Sequence, residues 1–134
     1  MFVRHNVVLW VLQIFLGLYF IGIGVMHFIV PEGLPDVLSW MYDLDDTLHL
    51  VSGTAEILGG LGLILPSLTR VLPVLTPLAA LGLIVVMIGA VVFHIGREEF
   101  QQIGTNVLMI LLLGYIAYGR TRLAPIAPRE GATT

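Results

Sequence analysis

Four apolar runs, at about residues 6–29, 47–65, 73–95 and 102–118, constrain this chain more than anything else in it. At 1.5 Å per residue, a helix of about 17–24 residues crosses a hydrocarbon core roughly 30 Å thick. Lipid offers no water to the backbone, so each run has to satisfy its own amide groups as a helix. Composition agrees: 57% of the residues are hydrophobic and 11% charged, too few charges to cover a soluble domain of 134 residues. The expectation is an all-α integral membrane four-helix bundle, with residues 1–134 forming one domain in contact with the lipid bilayer. The first run, preceded by Arg4, is longer than a signal-peptide core and has no clear cleavage site, so it is expected to be retained.

The punctuation between the runs refines this picture. Pro66 is expected to close the second span, and Pro73 and Pro77 to fall in the opening turns of the third, where a missing N–H does little harm. The short link between them predicts an antiparallel hairpin. Arg4, Arg70, Arg120, Arg122 and Arg129 flank one side of the spans and only Arg97 the other. That asymmetry predicts both termini in the cytoplasm of a cell with the chain in its inner membrane. Glu32, Asp36, Asp43, Asp45, Asp46, Glu98 and Glu99 then lie outside. In the first external loop, Leu34, Val37, Leu38 and Met41 recur at helical spacing, with Trp40 and Tyr42 suited to a lipid–water boundary. A short interfacial helix over residues 35–42 is predicted.

Against this apolar background a few polar residues need a reason. Glu56 lies in the middle of the second span, where a carboxylate must be protonated, paired or turned to a polar cavity. His49 precedes it by two turns and Ser52 sits between them on the same face, giving a polar stripe that descends roughly 10 Å. His27 and His94 end the first and third spans at a similar depth. Glu56 as a proton relay and His94 beside it are the candidate catalytic residues. His27, His49, Ser52, Gln13 and Asn106 are the candidate ligand-binding residues, and no metal site is expected. A purely structural account runs alongside: polar side chains glue helices together in lipid, and a protonated Glu56 could cap a neighbouring backbone or bond Gln13 or Asn106 for that purpose alone. The glycines, Gly17, Gly22, Gly24, Gly53, Gly59, Gly60, Gly62, Gly82 and Gly89, read for the most part as devices for close helix packing.

Several stretches resemble the DoxX-like family of small four-helix membrane proteins. They are GTAEILGGLGLILP at residues 53–66, AVVFH at 90–94 and GIGVMHF at 22–28. The resemblance implies a four-span fold. It also implies a link to redox complexes, since the family is associated with thiosulfate:quinone oxidoreductase and with thiol-redox and oxidative-stress assemblies.

Three functions follow as expectations. The first is a redox-associated membrane subunit holding a quinone or another lipophilic small molecule at a Glu/His site, because His and carboxylate both titrate and hydrogen-bond within reach of lipid. The second is a non-catalytic anchor or assembly subunit of a larger redox enzyme complex, or a homo-oligomer. The third, and least favoured, is haem held between His27 and His94. The chain has no cysteine, so an electron carrier would have to be bound or come from a partner. It has no nucleotide fingerprint and no basic tract for nucleic acid.

Overall fold

In the computed structural model, which describes residues 1–131, the four runs are the helices α1 (Phe2–Ile29), α2 (Asp46–Thr69), α3 (Leu75–Gly96) and α4 (Phe100–Tyr118). The last three residues, Ala132 to Thr134, belong to the expected domain but lie outside the described residues. All four helices are long and apolar enough to cross a membrane. Short links make α2–α3 and α3–α4 antiparallel, and α1 packs along α2. Both described ends of the chain therefore meet at one end of the bundle, where His5 Nδ1 lies 3.0 Å from the Tyr115 hydroxyl. The core is a narrow apolar column of Leu9, Leu16, Phe20, Leu63, Leu83, Leu113 and Ile116. Large apolar side chains such as Val11, Leu58, Val85 and Leu111 point outward, as a lipid-facing surface requires.

Local chemistry sets the helix ends. Asp45 caps α2 by accepting from the Leu48 amide at 2.7 Å. Arg70 ends it in the left-handed region, at φ 58. Pro66 does not close the span as expected: it lies inside α2, which runs on to Thr69. A proline there leaves the carbonyl four residues back without its amide and bends the ladder. That carbonyl, Gly62 O, accepts instead from the Thr76 hydroxyl of α3 at 3.0 Å. The next one, Leu63 O, accepts from Gln13 Nε2 of α1 at 2.7 Å. The neighbouring helix α3 thus satisfies the carbonyl that the proline leaves open, the usual way a membrane helix tolerates one.

α1 and α2 touch through glycine. A Cβ on Gly17 would come within 3.0 Å of Gly60 O, and one on Gly24 within 2.9 Å of Gly53 O. The two pairs lie a heptad apart on each helix and bring backbone against backbone. Gly59 and Gly62 serve α3 instead, meeting Leu83 and Ala79. Gly22, Gly82 and Gly89, by contrast, meet nothing within 4 Å among the described residues, so the expected close packing is not made there within the bundle.

The predicted short helix in the first loop is present as a 3-10 turn, Asp36–Asp43. Tyr42 ties it down locally, donating to Pro31 O at 2.7 Å and accepting from the Leu34 amide at 3.0 Å. Met41 is fully buried beneath it.

The glycine contacts yield a direct expectation. Gly24→Ala should force α1 and α2 apart and lower stability by about 1–3 kcal/mol. Gly82→Ala, in open space, should leave it within about 0.5 kcal/mol. Thermal unfolding of the two variants in one detergent checks the contrast.

Candidate functional site

The end of the bundle away from the termini gathers the histidines. His27 lies in the last turn of α1, His94 in the last turn of α3, and His49 in the first turn of α2. The Gly24–Gly53 contact draws α1 so close to α2 that a Cβ on Gly53 would also meet the His27 Cβ at 2.9 Å. Through that contact His27 reaches Glu56: Nε2 and Oε2 are 3.2 Å apart, and both side chains are almost wholly buried. The distance suits a charge interaction, but the alignment is not that of a hydrogen bond, and Glu56 Oε2 has no hydrogen-bond partner among the described residues. A buried carboxyl oxygen in this condition is costly to keep and ready to accept or donate.

The other face of the His27 ring continues the chain. Its Nδ1 lies 2.9 Å from His49 Nδ1. One of these nitrogens must carry a proton and the other must not, so the two rings cannot both be imidazolium. Glu56, His27 and His49 form a line from the bundle interior to a half-buried imidazole near the end away from the termini. The contacts have the spacing a proton relay needs.

Beside this line is a cavity of about 330 Å³ between α2 and α3. Its polar wall comprises Glu56, Ser52, His27 and His94, and its apolar wall includes Val86, Ala90 and Phe93. Leu48, Val51 and Val85 line it as well and are exposed on the side of the bundle, so its mouth opens sideways, toward the acyl chains of a bilayer. Trp40 roofs it, with its ring centre 6.0 Å from His27 and 5.2 Å, edge to face, from His94. A volume of this size falls at the lower end of the roughly 300–1,000 Å³ found for small-molecule sites.

A second polar cluster fixes the roof. His94 Nδ1 is 3.2 Å from Glu99 Oε1, leaving the Nε2 side of the ring for the cavity. Arg97 donates to Glu99 and, at 2.6 Å, to Asp43 Oδ2 at the end of the 3-10 turn. Gln102 Nε2 donates to Val37 O at 2.9 Å from the other side. Burial alone would raise the Glu99 carboxyl, but hydrogen bonds from Arg97 and His94, with their charges, outweigh it and hold Glu99 below the usual carboxylate range.

Of the residues singled out in the sequence, Glu56, His27, Ser52 and His94 share one cavity, with His49 one hydrogen bond behind. The direct neighbour of Glu56 is His27 rather than His94. Gln13 is not in the cavity wall: it holds Leu63 O and accepts from Arg120 Nε at 2.6 Å. Asn106 is also outside it, with Nδ2 buried and without a partner among the described residues. Three participants carried no such signal. Trp40 read as a boundary anchor, and Arg97 and Glu99 as external charges; only their proximity to His94 in sequence hinted at more.

A family model described as DoxX-like matches residues 11–116, which take in every residue of the cavity wall. No curated protein and no solved structure gives a match. The chain belongs to the DoxX-like family.

The state of Glu99 sets a pH dependence. Its folded carboxyl is lower than an unfolded one, so its contribution is complete above the ordinary carboxylate range and is lost as pH falls through the lower folded value. Melting temperature in detergent should drop on acidification through that range, and Glu99→Gln should flatten this part of the profile.

Proposed function

We propose that this DoxX-like protein is a redox-associated subunit of the cell's inner membrane, with both termini cytoplasmic, that takes a quinone-class molecule from the bilayer into the cavity beside Glu56. The observation that carries the reading is the buried Glu56 Oε2, without a hydrogen-bond partner among the described residues, beside a largely apolar cavity whose mouth faces sideways. An assembly surface has no need of such a cavity. A lipophilic ligand with one or two oxygen atoms fits it, because the walls accept a ring and the polar side offers a carboxyl and two imidazoles.

A quinone bound there would supply two-electron chemistry coupled to two protons, its electrons exchanged with a partner redox enzyme. The residues of this chain hold and move the protons. His94, oriented by Glu99, presents Nε2 to a ligand oxygen; the neutral ring accepts from a hydroxyl and the protonated ring donates to a carbonyl. Glu56 exchanges a proton with the ligand or with His27 Nε2. His27 and His49 pass it between their Nδ1 atoms toward the outer end. Trp40, held by the Arg97–Asp43 pair, keeps water from entering over the roof.

The arrangement generates a graded set of outcomes. His94→Ala should weaken quinone-analogue binding by about tenfold, the equivalent of one charge-assisted or buried hydrogen bond. Glu56→Gln keeps shape and should slow a proton-coupled step more than it weakens binding. Gly89→Leu should block binding by filling the cavity without touching a polar residue, since a side chain there starts in open space. Binding and turnover in proteoliposomes with the native partner measure all three. Unchanged values in every variant would leave the anchor role in place of this one. For the orientation, single cysteines at Asp45 and Glu130 should label from opposite sides of the membrane, the second from the cytoplasm.

A further inference from the structure

The opposite end of the bundle holds a second buried charge that the quinone reading does not use. Arg120 follows α4 in a wide turn, Gly119–Leu123, and is 5% exposed. Its Nε donates to Gln13 Oε1 at 2.6 Å, and its Nη1 to Asn6 Oδ1 at 2.7 Å and Ala124 O at 2.9 Å. The guanidinium also lies over the Trp10 ring, 5.4 Å from its centre. All of these partners are neutral. Among the described residues no carboxylate pairs with Arg120, and its Nη2 has no hydrogen-bond partner. A buried cation with donors to spare and no counter-charge is costly unless an anion arrives from outside the chain.

There is room for one. Arg120 lines a cavity of about 380 Å³ whose other walls include Ser67, Leu72, Val74, Pro77 and Ile126. Its outer wall is the segment after the wide turn, strapped across the α2–α3 link: Arg70 Nε donates to Ala127 O at 2.9 Å, and the Arg129 amide donates to Arg70 O at 3.0 Å. Leu72 and Val74 are partly exposed at its rim, so the apolar side of the cavity continues into the lipid-facing surface. Arg4, Arg70, Arg122 and Arg129 belong to this same end, which is therefore the cationic end of the bundle.

We propose that this cavity binds the phosphate headgroup of an anionic phospholipid, with Arg120 as its counter-charge and the Leu72–Val74 rim against its acyl chain. Basic pockets between membrane helices on the positively charged side are the setting in which such headgroups are held. The apolar rim favours a lipid over a free anion, because a free anion gains nothing from it. The phosphate supplies the counter-charge that Arg120 lacks among the described residues, and the strap shields the pair from water.

The test is thermal stability of the purified full chain in nonionic detergent, titrated with phosphatidylglycerol, with phosphatidylcholine and with inorganic phosphate. Stabilisation should be selective for phosphatidylglycerol. Arg120→Gln should reduce the apparent affinity by about five- to tenfold. Because Arg120 also holds Gln13 and Asn6, that variant can fail to fold; Val74→Trp, at a position 57% exposed, fills the rim without touching the charge and should abolish the selectivity on its own. Gly89→Leu, in the other cavity, should keep the full response. Equal stabilisation by both lipids, an equal effect of inorganic phosphate alone, or undiminished selectivity in Val74→Trp would each overturn the proposal.

Discussion

A carboxylate and an imidazole 3.2 Å apart inside an apolar bundle govern how this protein is put together. Lipid cannot solvate Glu56, so α2 must present it to another helix. The presentation works because α1 carries glycine where α2 comes closest. Gly24 and Gly53 let the two backbones meet, and that approach sets His27 beside Glu56. Were either glycine larger, the histidine would recede and the acid would face the cavity alone. Packing and polar chemistry are therefore one arrangement here: the glycine contacts set the helix distance that places His27 beside Glu56.

The molecule has two polar ends separated by an apolar column. At one end Glu56, the histidines, Glu99 and Arg97 surround a cavity roofed by Trp40. At the other, Gln13, Asn6 and Arg120 close around the wide turn after α4. Between them Leu16, Phe20, Leu63, Leu83 and Leu113 are fully or almost fully buried. Gln13 links this second cluster to the Pro66 turn of α2, since one side chain both donates to Leu63 O and accepts from Arg120. The Thr76 hydroxyl of α3 takes the carbonyl that Pro66 leaves without an amide, and the proline is tolerated inside α2 for that reason.

The sequence disclosed the parts that depend on local composition. Four spans follow from hydropathy, and Glu56 stands out because nothing around it is charged. The short helix over the first loop followed from apolar spacing. The rest depends on pairing between distant segments, which one sequence does not reveal. Pro66 read as a stop because its rescue comes from Thr76 on another helix. His94 was the expected neighbour of Glu56, whereas the rotation of α1 brings His27, and that rotation is set by which glycines face each other. Arg120 read as one more topogenic cation, because the residues that bury it, Asn6 and Gln13, lie more than 100 positions earlier. Trp40 was assigned to the membrane boundary on residue type alone; its rings of contact with His27 and His94 come from the fold.

Photolabelling with an azidoquinone in liposomes, followed by mass-spectrometric mapping, asks whether the cavity beside Glu56 receives a lipophilic quinone-class ligand from the bilayer. Attachment is expected at the α2 and α3 residues that line the cavity, such as Val51, Val86 and Ala90, with protection by excess unlabelled quinone. Labelling spread evenly over the lipid-facing surfaces of all four helices, with no protection by competitor, would contradict it.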